Sequence, residues 1–250
     1  SSLALIFGGR FDRQLYVSRE LPSTLSSGTD PEQLGLSHLT PKVSLLYRIS
    51  EHHSEYTTIS GGIEAPAFNE VDPPPTLPNV ALNPLLKPMT STTVEFGAKG
   101  FFFPEVLFPL AAASYSLAFY QISLHNEIVP YNGGAWYFSA GTSRRYGVEA
   151  GTQVEFHGGI SAGTSLTLLQ SKYRKYSNDI GNFSANQVPG IPPVVFVVRL
   201  AYTAPYGIRL TLRSDHVGRY FADDANTLRV PSSTIWSALL STTQRWQPVQ

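Results

Sequence analysis

Six histidines, two adjacent aspartates and one cluster of aromatic and arginine side chains are the groups in this chain with chemistry to offer. His38, His52, His53, His125, His157 and His216 show no HExxH or other metal-ligand spacing. His52 and His53 are neighbours, so on extended backbone they point to opposite sides and read as solvated turn residues. Asp223 and Asp224 bring two carboxylates, short of the roughly six to eight oxygens that calcium takes. Gly158-Gly159 is turn chemistry, because no helix follows to complete a phosphate cradle. Serines are plentiful, yet no GxSxG marks a nucleophile elbow, and the absence of cysteine excludes disulfides, thiolate metal sites and a Cys nucleophile. The chain therefore reads as no enzyme, with no catalytic residues, no metal site and no cofactor.

Binding is the better use of what remains. Tyr131, Trp136, Tyr137 and Phe138 stand in a stretch running from 128 to 142, and Arg144 and Arg145 follow at once. Aromatic faces beside guanidinium groups suit a planar, anionic ligand held by cation–π contacts and charge-assisted hydrogen bonds. Tyr131, Trp136, Tyr137 and Arg145 are the candidate ligand-binding residues. A second assignment stays open: the aromatics anchor a membrane interface and the arginines meet lipopolysaccharide phosphate.

The elements that must position these groups are strands. From Ser143 to Phe156 one parity carries Tyr146, Val148, Ala150, Val154 and Phe156, and the other carries Arg145, Gly147, Glu149, Gly151, Gln153 and Glu155. Successive strand side chains leave opposite faces, so one surface is oily and the other polar and glycine-rich. The same alternation opposes Val43, Leu45 and Tyr47 to Lys42, Ser44 and Arg48. It also opposes Val194, Phe196, Val198, Leu200, Tyr202, Ile208, Leu210 and Leu212 to Arg199, Thr203, Arg209, Thr211 and Arg213. About ten such segments, each longer than the usual five or six residues, fall near 2–12, 41–50, 54–63, 91–103, 113–127, 143–157, 159–173, 193–204, 206–218 and 233–246. Between 113 and 127 both parities are apolar, which suggests a bulge. Short turns near 51, 104–112, 158 and 205 alternate with long loops at 13–40, 64–90, 128–142, 174–192 and 219–232. Turns on one rim and long loops on the other are expected of an outer-membrane β-barrel.

Composition agrees. Charged residues make up 14% of the chain, below the roughly 25% typical of soluble domains. Eighteen basic and eighteen acidic residues cancel, so net charge draws the chain to neither nucleic acid nor anionic lipid. No apolar run approaches about 18 residues, and Pro104, Glu105 and Pro109 interrupt the nearest candidate for a membrane helix. The N-terminus lacks the basic start and cleavage site of a signal peptide, so the chain is expected to be a mature or internal piece.

Specific strings then carry a resemblance. Asn83-Pro84-Leu85-Leu86-Lys87-Pro88 followed by Ser91-Thr92-Thr93-Val94-Glu95-Phe96-Gly97 resembles the NPxLKPE-x-STxYExG segment of TonB-dependent outer-membrane receptors. Pro41 to Arg48, Glu64 to Glu70, Asn126 to Val129, Arg145 to Glu149, Pro189 to Pro192 and Val217 to Thr227 resemble further strings of that family in the same order. Met89 stands where Glu is usual and Pro193 where His is usual.

The resemblance implies an all-β fold: an antiparallel up-and-down transmembrane β-barrel segment, about ten strands of a barrel of about 22. Residues 1–250 would be a partial barrel domain, the C-terminal half truncated at both ends, with the plug domain absent. It places Asp223-Asp224 in an extracellular loop. It further implies the bacterial outer membrane, a ferric siderophore or other metal chelate as ligand, and energised uptake through the TonB complex acting on the missing plug. Outer-membrane lipid and lipopolysaccharide are the other expected partners. Two rivals are a passive porin and a soluble β-rich binding or adhesion module. The second requires a protein layer over the valines and leucines of 194–212.

Overall fold

A computed structural model describes residues 2–18, 32–77, 80–104, 109–131, 135–139, 141–178 and 180–242. Ten of its strands form one antiparallel sheet: β1 (Ser2–Ser18), β2 (Glu32–Arg48), β3 (His53–Glu64), β4 (Met89–Phe102), β5 (Leu110–His125), β8 (Thr142–Phe156), β9 (Ile160–Lys175), β10 (Val194–Thr203), β11 (Ile208–Val217) and β14 (Ser233–Thr242). Each strand pairs with its neighbours in chain order. Two small hairpins stand apart from the sheet: β6 (Ile128–Tyr131) with β7 (Trp136–Ser139), and β12 (Tyr220–Phe221) with β13 (Arg229–Val230). No helix among the described residues is long and apolar enough to cross a membrane.

Register converts the sequence alternation into two continuous surfaces. Leu5, Leu45, Thr57, Phe96, Phe119, Val148, Leu168 and Val194 lie side by side across eight strands, seven of the eight apolar. On the opposite face, Thr58, Glu95, Tyr120, Gly147 and Leu169 form a mixed row. Among the described residues no protein layer covers the oily face: Phe119 is 45% exposed, Leu168 41%, Leu200 50% and Leu210 42%. A soluble sheet would bury this stripe against a second layer. The bare stripe is what a hydrocarbon-facing wall requires.

Among the described residues the packed interior is small, and its two clusters sit at one rim. There, long loops fold back over the inner face. Val71, Leu82 and Leu86 from the 65–88 loop pack on Tyr16, with Leu34 and Leu36 beside them. Val129, Tyr173, Tyr176, Phe183 and Val188 form a second cluster. Tyr16 donates its hydroxyl proton to the carbonyl of Pro66, pinning the loop to β1.

Three sequence expectations change. The long loop expected at 13–40 is shorter, because β1 continues to Ser18 and β2 begins at Glu32. In β1 the exposed apolar parity continues through Leu15 and Val17, and the ladder carries β2 alongside although Gly35 and Gln33 opposite them bear no apolar side chain. Loop 128–142 contains the β6–β7 hairpin. The bulge expected within 113–127 is absent: β5 holds continuous register there, and its irregularity lies between Leu110 and Ala112. Both parities are apolar in its upper part because loops cover Leu124 on the inner face, where it is buried.

Candidate functional site

The candidate residues gather at the long-loop rim, where the inner face opens into the mouth of the lumen. The β6–β7 hairpin is built as a two-sided wedge. Val129 and Phe138 pair across it and pack on the Tyr173–Tyr176–Phe183 cluster. Ile128 and Tyr137 leave the other side and pack on the Val71–Leu82–Leu86 cluster. Period-two geometry thus sends Trp136 and Tyr137, adjacent in sequence, in opposite directions. Trp136 stays with Phe138, ring centroids 5.6 Å apart, and faces Tyr131 across the strand pair. Tyr131 is described by its backbone position in β6 alone.

Asn83 locks the hairpin to the loop beneath it. It is fully buried, donates from Nδ2 to the carbonyl of Tyr137 at 2.7 Å, and accepts from the Leu85 amide at 3.0 Å. Its own amide donates to the Val71 carbonyl at 2.8 Å. A buried amide side chain with both ends engaged holds two segments in one geometry.

Arg145 emerges from β8 on the inner face, as parity requires, and its guanidinium Nη2 lies 2.7 Å from Glu127 Oε1. Glu127 reaches it because Asn126 adopts φ 56° at the end of β5, a left-handed turn that asparagine tolerates. Ser143 and Ser171, both buried, carry hydroxyls that make no hydrogen bond to another described residue, and the same holds for Arg145 Nε and Glu127 Oε2. Ser171 is the cross-strand partner of Arg145. The mouth therefore holds a half-buried ion pair with donor and acceptor capacity to spare.

The adjacent aspartates have separate tasks. Asp224 accepts from Tyr173 Oη at 2.8 Å and from Tyr176 Oη at 3.1 Å, tying the 218–232 loop to β9. Asp223 accepts from the amides of Thr227 and Leu228 and from the Thr227 hydroxyl, closing a turn. Partial burial raises its pKa, but these hydrogen bonds outweigh that and hold the carboxyl below its ordinary range.

Deeper in the lumen, Tyr56 lies over Gly97 of the next strand and donates to Glu95 at 2.6 Å. Tyr120 covers Gly147 in the same way. A Cβ at either position would enter the ring, so the tyrosine would have to move away. Further round, Arg199 and Arg213 are directly opposed, Arg209 lies four residues along the same face of β11 opposite Thr203, and Arg213 is bridged to Asp215 at 2.5 Å. Such a polar, charge-lined surface suits passage of a hydrated, charged solute.

Of the four candidates, the fold brings Trp136 and Tyr131 together, sends Tyr137 into the loop cluster, and gives Arg145 a carboxylate partner. Sequence reasoning assigned no role to Glu127, Asn83 or Asp224. Glu127 had one available signal: it stands 18 positions before Arg145, with opposite charge, across a single strand connection.

A family model described as TonB dependent receptor-like, beta-barrel, matches residues 1–249. The ferrioxamine receptor of Yersinia enterocolitica is 30% identical over 240 residues, which covers 94% of this chain and 30% of that receptor. The chain therefore spans about a third of the length of the relative it matches. Among solved structures, the siderophore receptor PiuA from Acinetobacter baumannii superposes with a TM-score of 0.72 at 18% identity, over 97% of this chain and 35% of that one. The ferric yersiniabactin uptake receptor FyuA from Yersinia pestis gives 0.69 at 17% identity, over 96% and 35%. At these identities the superpositions speak for the fold.

Proposed function

Because this chain belongs to the TonB-dependent receptor-like β-barrel family, we propose that it supplies wall, lumen lining and mouth to a receptor for energised uptake of a ferric siderophore or similar metal chelate. The family resides in the outer membrane, and its members are receptors and transporters, not enzymes. In this reading a plug domain outside these 250 residues gates the lumen and couples to the TonB complex. The oily face meets outer-membrane lipid and lipopolysaccharide.

The relationship to the ferrioxamine receptor, which runs along nearly the whole chain, carries the reading. The mouth supports it. Tyr131 and Trp136 stand at the tip of the hairpin, where an incoming chelate arrives first. Arg145, held by Glu127, lies on the route inward and offers an oriented guanidinium to an anionic chelate. Tyr137 serves the site by seating the hairpin.

The test is uptake of radiolabelled iron, presented as ferrioxamine and as other ferric chelates, by cells whose only such receptor is the full-length protein. Uptake should require TonB. Trp136→Ala should weaken chelate binding several-fold without loss of the folded barrel. Flux that persists without TonB would replace this reading with a passive porin.

A further inference from the structure

Among the described residues, six buried side-chain nitrogen or oxygen atoms make no hydrogen bond to another described residue. Four of the six lie in one patch around the Arg145–Glu127 pair: Ser143 Oγ, Ser171 Oγ, Glu127 Oε2 and Arg145 Nε. Asp12 and Arg144 hold the other two. Ser143 is 1% exposed and Ser171 5%, so bulk water does not reach their hydroxyls. A buried hydroxyl without a partner costs stability, and alanine at either position would avoid that cost. Four such atoms in one place call for a use.

Strand geometry sets these groups side by side. Ser143 and Arg145 are two residues apart on β8 and share its inner face. Across the ladder to β9, Arg145 pairs with Ser171 and Ser143 with Tyr173. On the other side Ser143 pairs with Leu124 of β5, three residues before Glu127. The turn at Asn126, whose amide donates to the Gly141 carbonyl at 3.1 Å, brings Glu127 back over this patch. Its charge acts on Tyr173 as well as on Arg145.

The ion pair itself is held at one point. Arg145 Nη2 lies 2.7 Å from Glu127 Oε1, while Nε and Oε2, which a two-pronged pairing would engage, stay apart. The arginine side chain is also the more exposed of the two. It is the partner that can turn toward a solute in the lumen, and the glutamate is the one that must stay. A buried carboxylate deprived of its guanidinium keeps its charge only where other donors reach it. The two serine hydroxyls in the same patch are such donors, and both are unspent.

We propose that Arg145 changes partners when an anionic chelate enters the mouth: its guanidinium turns to an anionic oxygen of the chelate, and Ser143 and Ser171 donate their hydroxyl protons to the carboxylate of Glu127 left behind. The two serines are positioning residues and touch no chelate. The proposal rests on the reading of the mouth as the entry of a ferric chelate, and it names the charge of that chelate as what draws Arg145 away. A neutral chelate has no differential hold on the guanidinium and leaves the pair closed. For an anionic one, the hydroxyls offset the cost of opening the pair.

The experiment uses the full-length protein in a neutral detergent, with heat-modifiable migration checked for every variant so that only folded barrels are compared. The probes are a neutral ferric trihydroxamate and the same chelate carrying an appended carboxylate, and binding is read by quenching of tryptophan fluorescence. In the Ser143→Ala/Ser171→Ala variant, affinity for the carboxylate probe should fall about tenfold, and affinity for the neutral probe should not change. Glu127→Gln leaves no charge to compensate and frees Arg145, so it should bind the carboxylate probe severalfold more tightly. Adding the two serine changes to Glu127→Gln should then have no further effect. Serines with a merely structural role would weaken both probes in both backgrounds, and that result overturns the exchange. Equal binding of the carboxylate probe by wild type and the serine variant overturns it too, as does a wild-type preference for the neutral probe. A folded wild-type barrel that binds neither probe instead overturns the receptor reading, and the exchange with it.

Discussion

Arg145 and Glu127 meet across the mouth of the lumen at 2.7 Å, though one rises from a ten-stranded wall and the other from the turn that follows a neighbouring strand. Their side chains are 25% and 10% exposed, so neither charge is well solvated without the other.

Removing both partners should therefore cost less than the sum of the two single removals. Glu127→Gln alone leaves a half-buried guanidinium unpaired and should destabilise the mouth by about 2 kcal/mol. The double variant Glu127→Gln/Arg145→Gln should recover about 1 kcal/mol of the summed loss. Urea unfolding of the detergent-solubilised protein, run as a double-mutant cycle, measures the coupling; additive losses would show that the pair is not energetically linked.

The tyrosine-over-glycine contacts should be loosened by a methyl. Gly147→Ala places a Cβ inside the Tyr120 ring and should cost about 1–3 kcal/mol by overpacking. Gly163→Ala is the internal control, since its nearest neighbour would be the Thr152 carbonyl at 3.5 Å. Heat-modifiable migration of the two variants as temperature rises should separate them, with the Gly147 variant opening first.

The two faces of β11 should respond oppositely to charge. Leu210→Arg puts a cation on the bare oily face and should destabilise the bilayer-inserted barrel by about 2–4 kcal/mol. Thr211→Arg, one residue on, adds a cation to the lumen face and should cost well under half as much. Equal effects in unfolding from lipid vesicles would contradict the assignment of outside and inside.

The Asp223 turn should open in acid. Its carboxyl is held below the ordinary 3.8 by hydrogen bonds from Thr227 and the Leu228 amide, despite the opposing effect of burial. A depressed folded pKa contributes stability that is complete above 3.8 and lost as pH falls through the lower folded value. Amide exchange at Thr227 and Leu228, corrected for intrinsic rate, should therefore rise on descent below pH 3.8, and Asp223→Asn should remove the step. A step of equal size in the Asn variant would assign the opening to another group.

Much of this protein was legible before any coordinates. Period-two alternation assigns a face to each side chain, and it did so correctly for Tyr146, Arg145, Leu210 and Arg213, because a strand has only two faces. Short turns at Gly158-Gly159 and Pro205-Tyr206-Gly207 set the order of pairing, and neighbours in sequence became neighbours in the sheet.

Residues beyond the oily band escaped the same logic. Leu15 and Val17 continue the exposed apolar parity of β1, but Arg13 and the facing Ser37, Gly35 and Gln33 interrupt it, and ladder hydrogen bonds carry β1 and β2 through. The β6–β7 strands are four residues each, too short to show a period and interrupted by Pro130. Glu127, Asn83 and Asp224 met their partners only when segments distant in sequence came together at the mouth. Local alternation determined which way each side chain of the wall points. The partners at the mouth were decided by tertiary contact, because hydrogen bonds and ion pairs between loops depend on where the loops come to rest, and no period in the chain encodes that.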